Sequence, residues 1–245
     1  MRLHLGKFSF HTMIPRNPLN IVLLGSEGVG KTSLLNAYTS DGEVKDFNDS
    51  LFLTCEKEIL INHKSIRLSI QDSKGGEEYF YHRLPLVHEA NVVLILFSLG
   101  CRFSFNEAFT TFYKESEGCS RKTPIIFVGC KSDLLQDRSC ISRLRLMDEA
   151  PVSRIEVHER LSGTTASYIE CSSKNRTGID SVFQHAMSCW FLVNRIDSNS
   201  FQPIQESAAR RRQRHRRTNN DSYSRLLNIS PPRISTILKL MRVFM

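Results

Sequence analysis

A glycine-rich stretch that ends in a lysine and a hydroxyl residue is the strongest chemical signal in this 245-residue chain. The pattern G-x-x-x-x-G-K-[ST] is satisfied by eight consecutive residues: Gly25, Ser26, Glu27, Gly28, Val29, Gly30, Lys31 and Thr32. The apolar run 19–25 before it predicts a strand and residues 32–39 predict a helix, which is the context that the motif requires. In such a loop the backbone N–H groups converge on phosphates, the lysine adds a positive charge and the hydroxyl can bind Mg²⁺. The stretch therefore predicts a phosphate-binding loop, with a chance glycine-rich turn as the alternative.

A second candidate segment follows the apolar run 124–129 and reads Cys130-Lys131-Ser132-Asp133. The Asp133 carboxylate can accept hydrogen bonds from guanine N1–H and from the 2-amino group. Adenine offers neither donor, so a buried carboxylate left unpaired would disfavour ATP. The stem of Lys131 can pack over the plane of the base. A K-x-D pattern alone is more typical of a solvated loop, but its distance from the phosphate loop indicates a guanine nucleotide.

Five segments of the chain resemble the Rho family of small GTPases. They are 72–75 (DSKG for D-T-A-G), 78–86 (EYFYHRLPL for E-D-Y-D-R-L-R-P-L), 96–99 (LFSL for C-F-S-L), 130–133 (CKSD for [NT]-K-x-D) and 170–173 (ECSS for E-C-S-A). The resemblance covers about residues 18–193, and the spacing from Gly25 to Asp133 matches without gaps. It implies the P-loop fold of small GTPases with an extra insert helix near 137–149, and it implies GTP or GDP with Mg²⁺ as ligands.

The resemblance also implies roles for individual residues. The nucleotide-binding residues that it implies are Gly25, Ser26, Glu27, Gly28, Val29, Gly30, Lys31, Thr32, Ser33, Asp72, Gly75, Lys131, Asp133, Ser172 and Ser173. The residues that it implies in catalysis are Lys31, Gly75 and Gly76, and the metal ligands are Thr32, Ser50 and Asp72. Asp72 would hold Mg²⁺ through water, the Gly75 N–H would sense the γ-phosphate, and backbone N–H groups of 172–173 would reach the guanine oxygen. Ser50 keeps the hydroxyl of the family's switch threonine, although a simple turn residue is the alternative there.

Three positions depart from the family's pattern. Gly76 stands where a glutamine orients the attacking water, and glycine has no side chain to do so. Glu77 is one position away and negatively charged, so we do not expect it to compensate. Glu27 replaces a glycine and would crowd both the γ-phosphate and an entering arginine finger, which is typically worth ~10³–10⁵ in rate. Glu43 replaces an aromatic residue over the guanine, which predicts faster nucleotide exchange.

These observations predict a GTP-binding signalling switch that hydrolyses GTP slowly and favours the GTP-bound state. Two alternatives remain, a non-catalytic scaffold with weak nucleotide binding and an ATP-using P-loop kinase or ATPase. Effector proteins would recognise the switch regions near 43–55 and 73–86. Exchange factors and activating proteins are further candidate partners.

The elements that must position these residues alternate between strands and helices. Near-continuous apolar runs at 91–99 and 124–130 predict strands that are covered on both faces. Partial alternation of apolar and polar residues in 51–61 and 65–72 predicts a hairpin. Helices are expected at 103–117, 137–149, 153–162 and 178–194, with a short strand at 167–171. The alternation predicts an α/β fold with a doubly wound, mostly parallel six-stranded sheet and helices on both faces.

Composition divides the chain into a nearly neutral domain and a basic tail. The formal net charge is +8, but residues 210–217 hold six arginines, without which it would be +2. Ser, Asn, Gln and Arg dominate the sequence beyond Arg195, which is typical of a mobile tail. We therefore expect an extension at 1–17, a GTPase domain at 18–197 and a tail at 198–245. The seven scattered cysteines lack a CxxC pair, which favours reduced thiols in the cytosol over disulfides or a zinc site.

The tail determines the expected location. The chain ends in RVFM and lacks the C-a-a-X cysteine at which Rho proteins are prenylated. Apolar residues in 233–245 share a helical face near three cations, so this segment and the 210–217 arginines predict a reversible contact with anionic membranes. An unfolded tail and a nuclear import signal are the alternatives, and no nucleic-acid partner is expected. We expect a cytoplasmic protein, with the inner face of the plasma membrane and the nucleus as further locations.

Overall fold

Seven strands form one sheet within the part of the chain that the computed structural model describes, namely residues 18–39, 44–45, 52–61, 64–120 and 122–194. In chain order the strands are β1 Leu19–Leu24, β2 Val44–Lys45, β3 Phe52–Ile61, β4 Lys64–Ser73, β5 Val92–Ser98, β6 Ile125–Cys130 and β7 Ser167–Glu170. Their order across the sheet is β2-β3-β4-β1-β5-β6-β7. β1 pairs in parallel with both β4 and β5, and β6 and β7 extend the sheet in parallel on the β5 side.

The predicted six-stranded, mostly parallel sheet is confirmed, with one short addition. β3 and β4 form the expected antiparallel hairpin, in which Phe52 pairs with Ser73 and Ile59 pairs with Ile66. The addition is β2, which pairs antiparallel with β3 at the edge of the sheet. Two residues are too few to show the alternation by which a strand is detected in a sequence.

Helices cover both faces of the sheet, as the doubly wound prediction requires. They are α1 Lys31–Thr39, α2 Phe80–Glu89, α3 Arg102–Glu107, α4 Tyr113–Ser116, α5 Arg138–Leu146, α6 Arg154–Leu161 and α7 Ile179–Val193. On one face α1 and α7 bury side chains such as Leu35 and Phe183 against the sheet. On the other face α2, α3 and α6 bury Val87, Phe105 and Val157. Each face thus has its own apolar core, and the sheet between them is buried on both sides.

Two helical features near the site differ from the prediction. The helix expected at 103–117 is present, but a π-helical segment, Ala108–Phe112, separates α3 from α4. The second feature is α2, which was not predicted and which follows a 3₁₀ turn at Glu77–Tyr79. Pro85 lies inside α2, and a proline inside a run normally argues against a helix.

The expected insert helix is present as α5. Asp137 caps it by accepting hydrogen bonds from the N–H groups of Ser139 and Cys140. The helix ends at Leu146, just before Asp148 adopts a left-handed φ of 55°. Among the described helices, including the longest, α7, none combines the length and the apolar character needed to cross a membrane.

Candidate functional site

The predicted site residues that the structure describes gather at one edge of the sheet. Residues 25–30 follow β1, residues 74–76 follow β4, residues 131–133 follow β6 and residues 171–173 follow β7. Ligands of open parallel sheets bind outside the carboxyl ends of the strands. The topology therefore brings four segments that are distant in sequence to the location where a ligand is expected.

The phosphate loop requires glycine at its first position for a steric reason. Gly25 has a φ of +145°, and a Cβ at this residue would stand 2.3 Å from the backbone oxygen of Leu96 in β5. No side chain fits that gap, so only glycine can start the loop here. The loop leads directly into α1, whose first N–H groups present a positive potential to an anion.

Lys31 is buried at the start of α1. Its ammonium donates hydrogen bonds to the carbonyl oxygens of Gly25 at 2.7 Å and Ser26 at 2.9 Å. Burial lowers the pKa of Lys31, and the nearby carboxylates of Asp72 and Glu27 oppose that shift. A poorly solvated ammonium gains more from an anionic ligand than a hydrated one does. The position and the environment of Lys31 both suit a phosphate.

Thr32 and Asp72 form a pair that fits a hard cation. The Thr32 hydroxyl donates a hydrogen bond to Asp72 Oδ2, while Asp72 Oδ1 is buried and has no hydrogen-bond partner among the described residues. Burial raises the pKa of Asp72, although the Thr32 hydroxyl and Lys31 act in the opposite direction. An unpaired buried carboxylate oxygen is costly unless a cation or donor meets it. Carboxylate and hydroxyl oxygens are the ligands that Mg²⁺ prefers, so this pair suits the predicted metal.

Gly75 lies directly against the phosphate loop. A Cβ at Gly75 would stand 2.6 Å from the backbone oxygen of Gly25 and 2.7 Å from the backbone nitrogen of Glu27. Any side chain here would displace one of the two segments. The chain after β4 therefore packs directly against the predicted phosphate loop and forms one wall beside it.

A buried arginine, which the sequence reasoning missed, fixes this wall. Arg83 in α2 forms a bidentate ion pair with Glu115 of α4, at 2.9 Å and 2.5 Å. It also donates hydrogen bonds to the carbonyl oxygens of Lys74 at 2.9 Å and Gly76 at 2.6 Å. The guanidinium lies 5.3 Å from the Phe112 ring centre. One side chain thus holds residues 74–76 in place from the side of α2 and α4.

The space beside Gly76 holds a carboxylate. The position of a Cβ on Gly76 lies 2.3 Å from both carboxylate oxygens of Glu78. The Glu78 carboxylate therefore occupies the space that a side chain at position 76 would enter. The Glu78 side chain is exposed, so it can move aside for a larger residue at 76.

Lys131 connects the segment 130–133 to the predicted phosphate loop. It adopts a left-handed φ of 59°, and its ammonium donates a hydrogen bond to the Gly28 carbonyl oxygen at 2.6 Å. Asp133 Oδ1 accepts a 2.5 Å hydrogen bond from the Ser172 hydroxyl, and Asp133 Oδ2 lies 3.8 Å from the Lys174 ammonium. Lys174 was missed, although it directly follows the predicted Ser173. The carboxylate of Asp133 is oriented from two sides.

Cys130, the first residue of this segment, departs chemically from the pattern that it resembles. Its sulfur lies 4.0 Å from that of Cys171, and both residues are buried. The Cys171 thiol and burial raise the pKa of Cys130 well above its usual range. A neutral thiol is only a weak hydrogen-bond donor. Cys130 therefore offers its surroundings a weaker hydrogen bond than an asparagine or threonine side chain would.

The variable positions of the phosphate loop also have defined surroundings. The buried Ser26 donates a 2.5 Å hydrogen bond to Glu107, the last residue of α3. The motif leaves this position open, so the contact could not be predicted. Val29 is buried, whereas Glu27 and Ser33 are exposed. Ser50, Glu43 and both termini lie outside the described residues.

Comparisons with known proteins agree with this geometry. A profile of the Ras family matches residues 20–191. The chain is 34% identical over 169 residues to GTP-binding protein rho4 of Schizosaccharomyces pombe, which covers 68% of this chain and 83% of that protein. It is 31% identical over 169 residues to human Rho-related GTP-binding protein RhoD, covering 69% and 80% of the two chains. It is 33% identical over 187 residues to GTP-binding protein rhoC of Emericella nidulans, covering 74% and 67%.

Proposed function

The chain belongs to the Rho-related group of the Ras family, and we propose that it is a guanine-nucleotide switch with slow GTP hydrolysis. The observation that carries the proposal is the hydrogen bond from Lys131 to the Gly28 carbonyl oxygen. It joins the segment that would read the base to the loop that would hold the phosphates. One nucleotide can then contact both segments.

Selection of guanine rests on Asp133. Its carboxylate is already oriented by Ser172 and Lys174, so little ordering is needed when guanine donors arrive. ATP lacks those donors, so its base would displace water from the carboxylate without offering a hydrogen bond in return, at a cost of ~1–3 kcal/mol or more. Backbone N–H groups of Ser172 and Ser173 would meet the guanine oxygen.

The phosphates would be held by the backbone of 25–30 and by the ammonium of Lys31. Thr32, Asp72 and, by resemblance, Ser50 would hold Mg²⁺, which when bound offsets the negative charge of the phosphates. The unpaired oxygen of Asp72 supports this assignment. The Gly75 N–H, beside the loop, would detect the γ-phosphate.

Slow hydrolysis would follow from two residues, Gly76 and Glu27, beside the expected position of the γ-phosphate. Gly76 lacks a side chain that could orient water, and Glu78 brings a carboxylate rather than an amide to that space. Glu27 extends from the loop near Gly75 and would obstruct an arginine supplied by an activating protein. Loss of such an arginine alone is typically worth ~10³–10⁵ in rate. The expected resting state is GTP-bound.

A second candidate function is a non-catalytic Rho-like scaffold with weak nucleotide binding. The observation that favours it is Cys130, because a neutral buried thiol supports the loop less well than an amide. The fold and the partner surfaces would be kept in this case, but the nucleotide would be lost.

The family indicates the partners, and the basic tail indicates the location. Effectors, exchange factors and activating proteins would contact the switch regions, including residues 73–86 beside the nucleotide. The domain would extend over about 18–197. The basic residues 210–217 and the apolar face of 233–245 would bind anionic membranes from the cytoplasmic side, with nuclear import as the alternative use of the arginines.

The nucleotide content of the purified full chain tests the proposal. Denatured protein is analysed by ion-exchange chromatography, and GTP or GDP near one equivalent is expected. Absence of nucleotide would favour the scaffold, and ATP or ADP would indicate a P-loop kinase or ATPase. Asp133→Asn should lose the guanine nucleotide. The matched control Asp137→Asn, which alters the cap of α5 and not the carboxylate that would meet the base, should retain it.

A further inference from the structure

Lys74 lies next in sequence to Gly75, which contacts the phosphate loop. The function described so far gives the ammonium group of Lys74 no role. Lys74 follows Ser73, whose buried hydroxyl donates a 2.6 Å hydrogen bond to the Leu23 carbonyl oxygen of β1. Its own carbonyl oxygen accepts a hydrogen bond from Arg83. The backbone of Lys74 is therefore fixed on three sides, while its side chain is exposed.

The ammonium of Lys74 has no carboxylate within salt-bridge distance in the described part of the chain. It lies 5.0 Å from the centre of the Tyr79 ring. A cation–π contact at an exposed site is weak. The flexible four-carbon stem allows the ammonium to leave the ring by side-chain rotation alone.

The phosphate site contains more acidic than basic side chains. Three acidic residues, Glu27, Asp72 and Glu107, belong to the loop or contact it. The two basic side chains that contact it are those of Lys31 and Lys131. Arg83 is already committed to Glu115. A triphosphate brings further negative charge, so an additional mobile cation beside the loop would lower the repulsion.

We propose that Lys74 binds the terminal phosphate of a nucleoside triphosphate and thereby makes the site prefer GTP over GDP. The inference rests on the proposed function, because it requires a guanine nucleotide in the loop. The adjacent Gly75 touches the loop at Glu27, so the side chain of Lys74 starts one residue away from the part of the loop at which Glu27 adds a negative charge. Lys74 offsets that charge when the γ-phosphate is present and makes no contact with GDP.

The test compares affinities for GDP and for a non-hydrolysable GTP analogue in the presence of Mg²⁺. The variant is Lys74→Gln in the full chain, which keeps the length of the side chain and removes the charge. A charge-assisted hydrogen bond is worth ~1.5–3 kcal/mol, or about 10- to 160-fold in affinity. The affinity for the GTP analogue should fall by about this factor, and the affinity for GDP should change less than about twofold. Thermal unfolding should be nearly unchanged, because Lys74 is exposed.

Lys57→Gln is the matched control. Its ammonium also lies over an aromatic ring, that of Tyr38 at 3.9 Å, and it belongs to β3 rather than to the chain after β4. This variant should leave the ratio of the two affinities unchanged. An unchanged ratio in Lys74→Gln, or equal losses for both nucleotides, would overturn the inference and leave the proposed function intact. Failure of the unmodified chain to bind either nucleotide would overturn both.

Discussion

The ion pair between Arg83 and Glu115 should be among the most costly contacts to disrupt in the described domain. The two side chains are 1% and 5% exposed, so solvent screens neither charge. Removal of one member of a buried pair typically costs ~3–5 kcal/mol, because the other charge stays buried and unpaired. Arg83→Gln would also withdraw hydrogen bonds from the carbonyl oxygens of Lys74 and Gly76. We expect this variant to lower the free energy of unfolding by about 3–5 kcal/mol, a large part of the ~5–15 kcal/mol typical of a domain.

Urea denaturation followed by circular dichroism measures the effect. Glu115→Gln should also destabilise the protein, but the double variant should lose less than the sum of the two single changes, since it leaves no charge unpaired. The control is Arg102→Gln, whose bidentate pair with Glu156 is 30% and 29% exposed and should contribute no more than about 1 kcal/mol. A loss in Arg83→Gln no larger than in this control would refute the reasoning.

Three further predictions concern the base, the metal and the tail. Asp133→Asn should bind xanthine nucleotides better than guanine nucleotides in a competition assay, because the extra carbonyl of xanthine suits an amide donor; unchanged GTP affinity would remove Asp133 from the site. Burial raises the pKa of Asp72, so the folded state favours its protonated form and this carboxylate destabilises the fold above its folded pKa. In the presence of a chelator, Asp72→Asn should therefore raise the Tm at neutral pH, with a gain that shrinks as pH falls through that pKa, while GTP affinity in Mg²⁺ should decrease. A chain ending at Asn199 should cosediment less with anionic vesicles than the full chain does. Equal binding by the two chains would show that the tail is not an anchor. If 1 M salt abolishes the binding of the full chain, the contact is due to the arginines of 210–217 and not to the apolar face of 233–245.

The phosphate loop could be predicted because its chemistry is local. The spacing of Gly25, Gly30 and Lys31 is set by the backbone that must surround a phosphate, and a strand and a helix flank it on either side. The long apolar runs of β5 and β6 similarly report burial on both faces. The hairpin of β3 and β4 was predicted from partial alternation, and both strands begin and end within one residue of the predicted positions.

The contacts that support the loop could not be predicted, because they join residues that are far apart in sequence. Arg83 and Glu115 are separated by 32 positions, and Ser26 and Glu107 by 81. No sequence periodicity or motif links such pairs. Each contact depends on how α2, α3 and α4 pack beside the loop. The position of the Glu78 carboxylate beside Gly76 was not predicted, because the 3₁₀ turn at Glu77–Tyr79 was not predicted.

Single-turnover hydrolysis of GTP tests the central claim most directly. The full chain and the double variant Glu27→Gly with Gly76→Gln are loaded with GTP, and phosphate release is followed with Mg²⁺ present. The new glutamine at position 76 must displace the Glu78 carboxylate. Because the Glu78 side chain is exposed, it can move into solvent. We expect slow release from the unmodified chain, at least about tenfold faster release from the double variant, and stimulation by a Rho-type activating protein in the variant alone. Equal rates in the two proteins, with equal stimulation, would contradict the proposal that Glu27 and Gly76 keep this protein in its GTP-bound state.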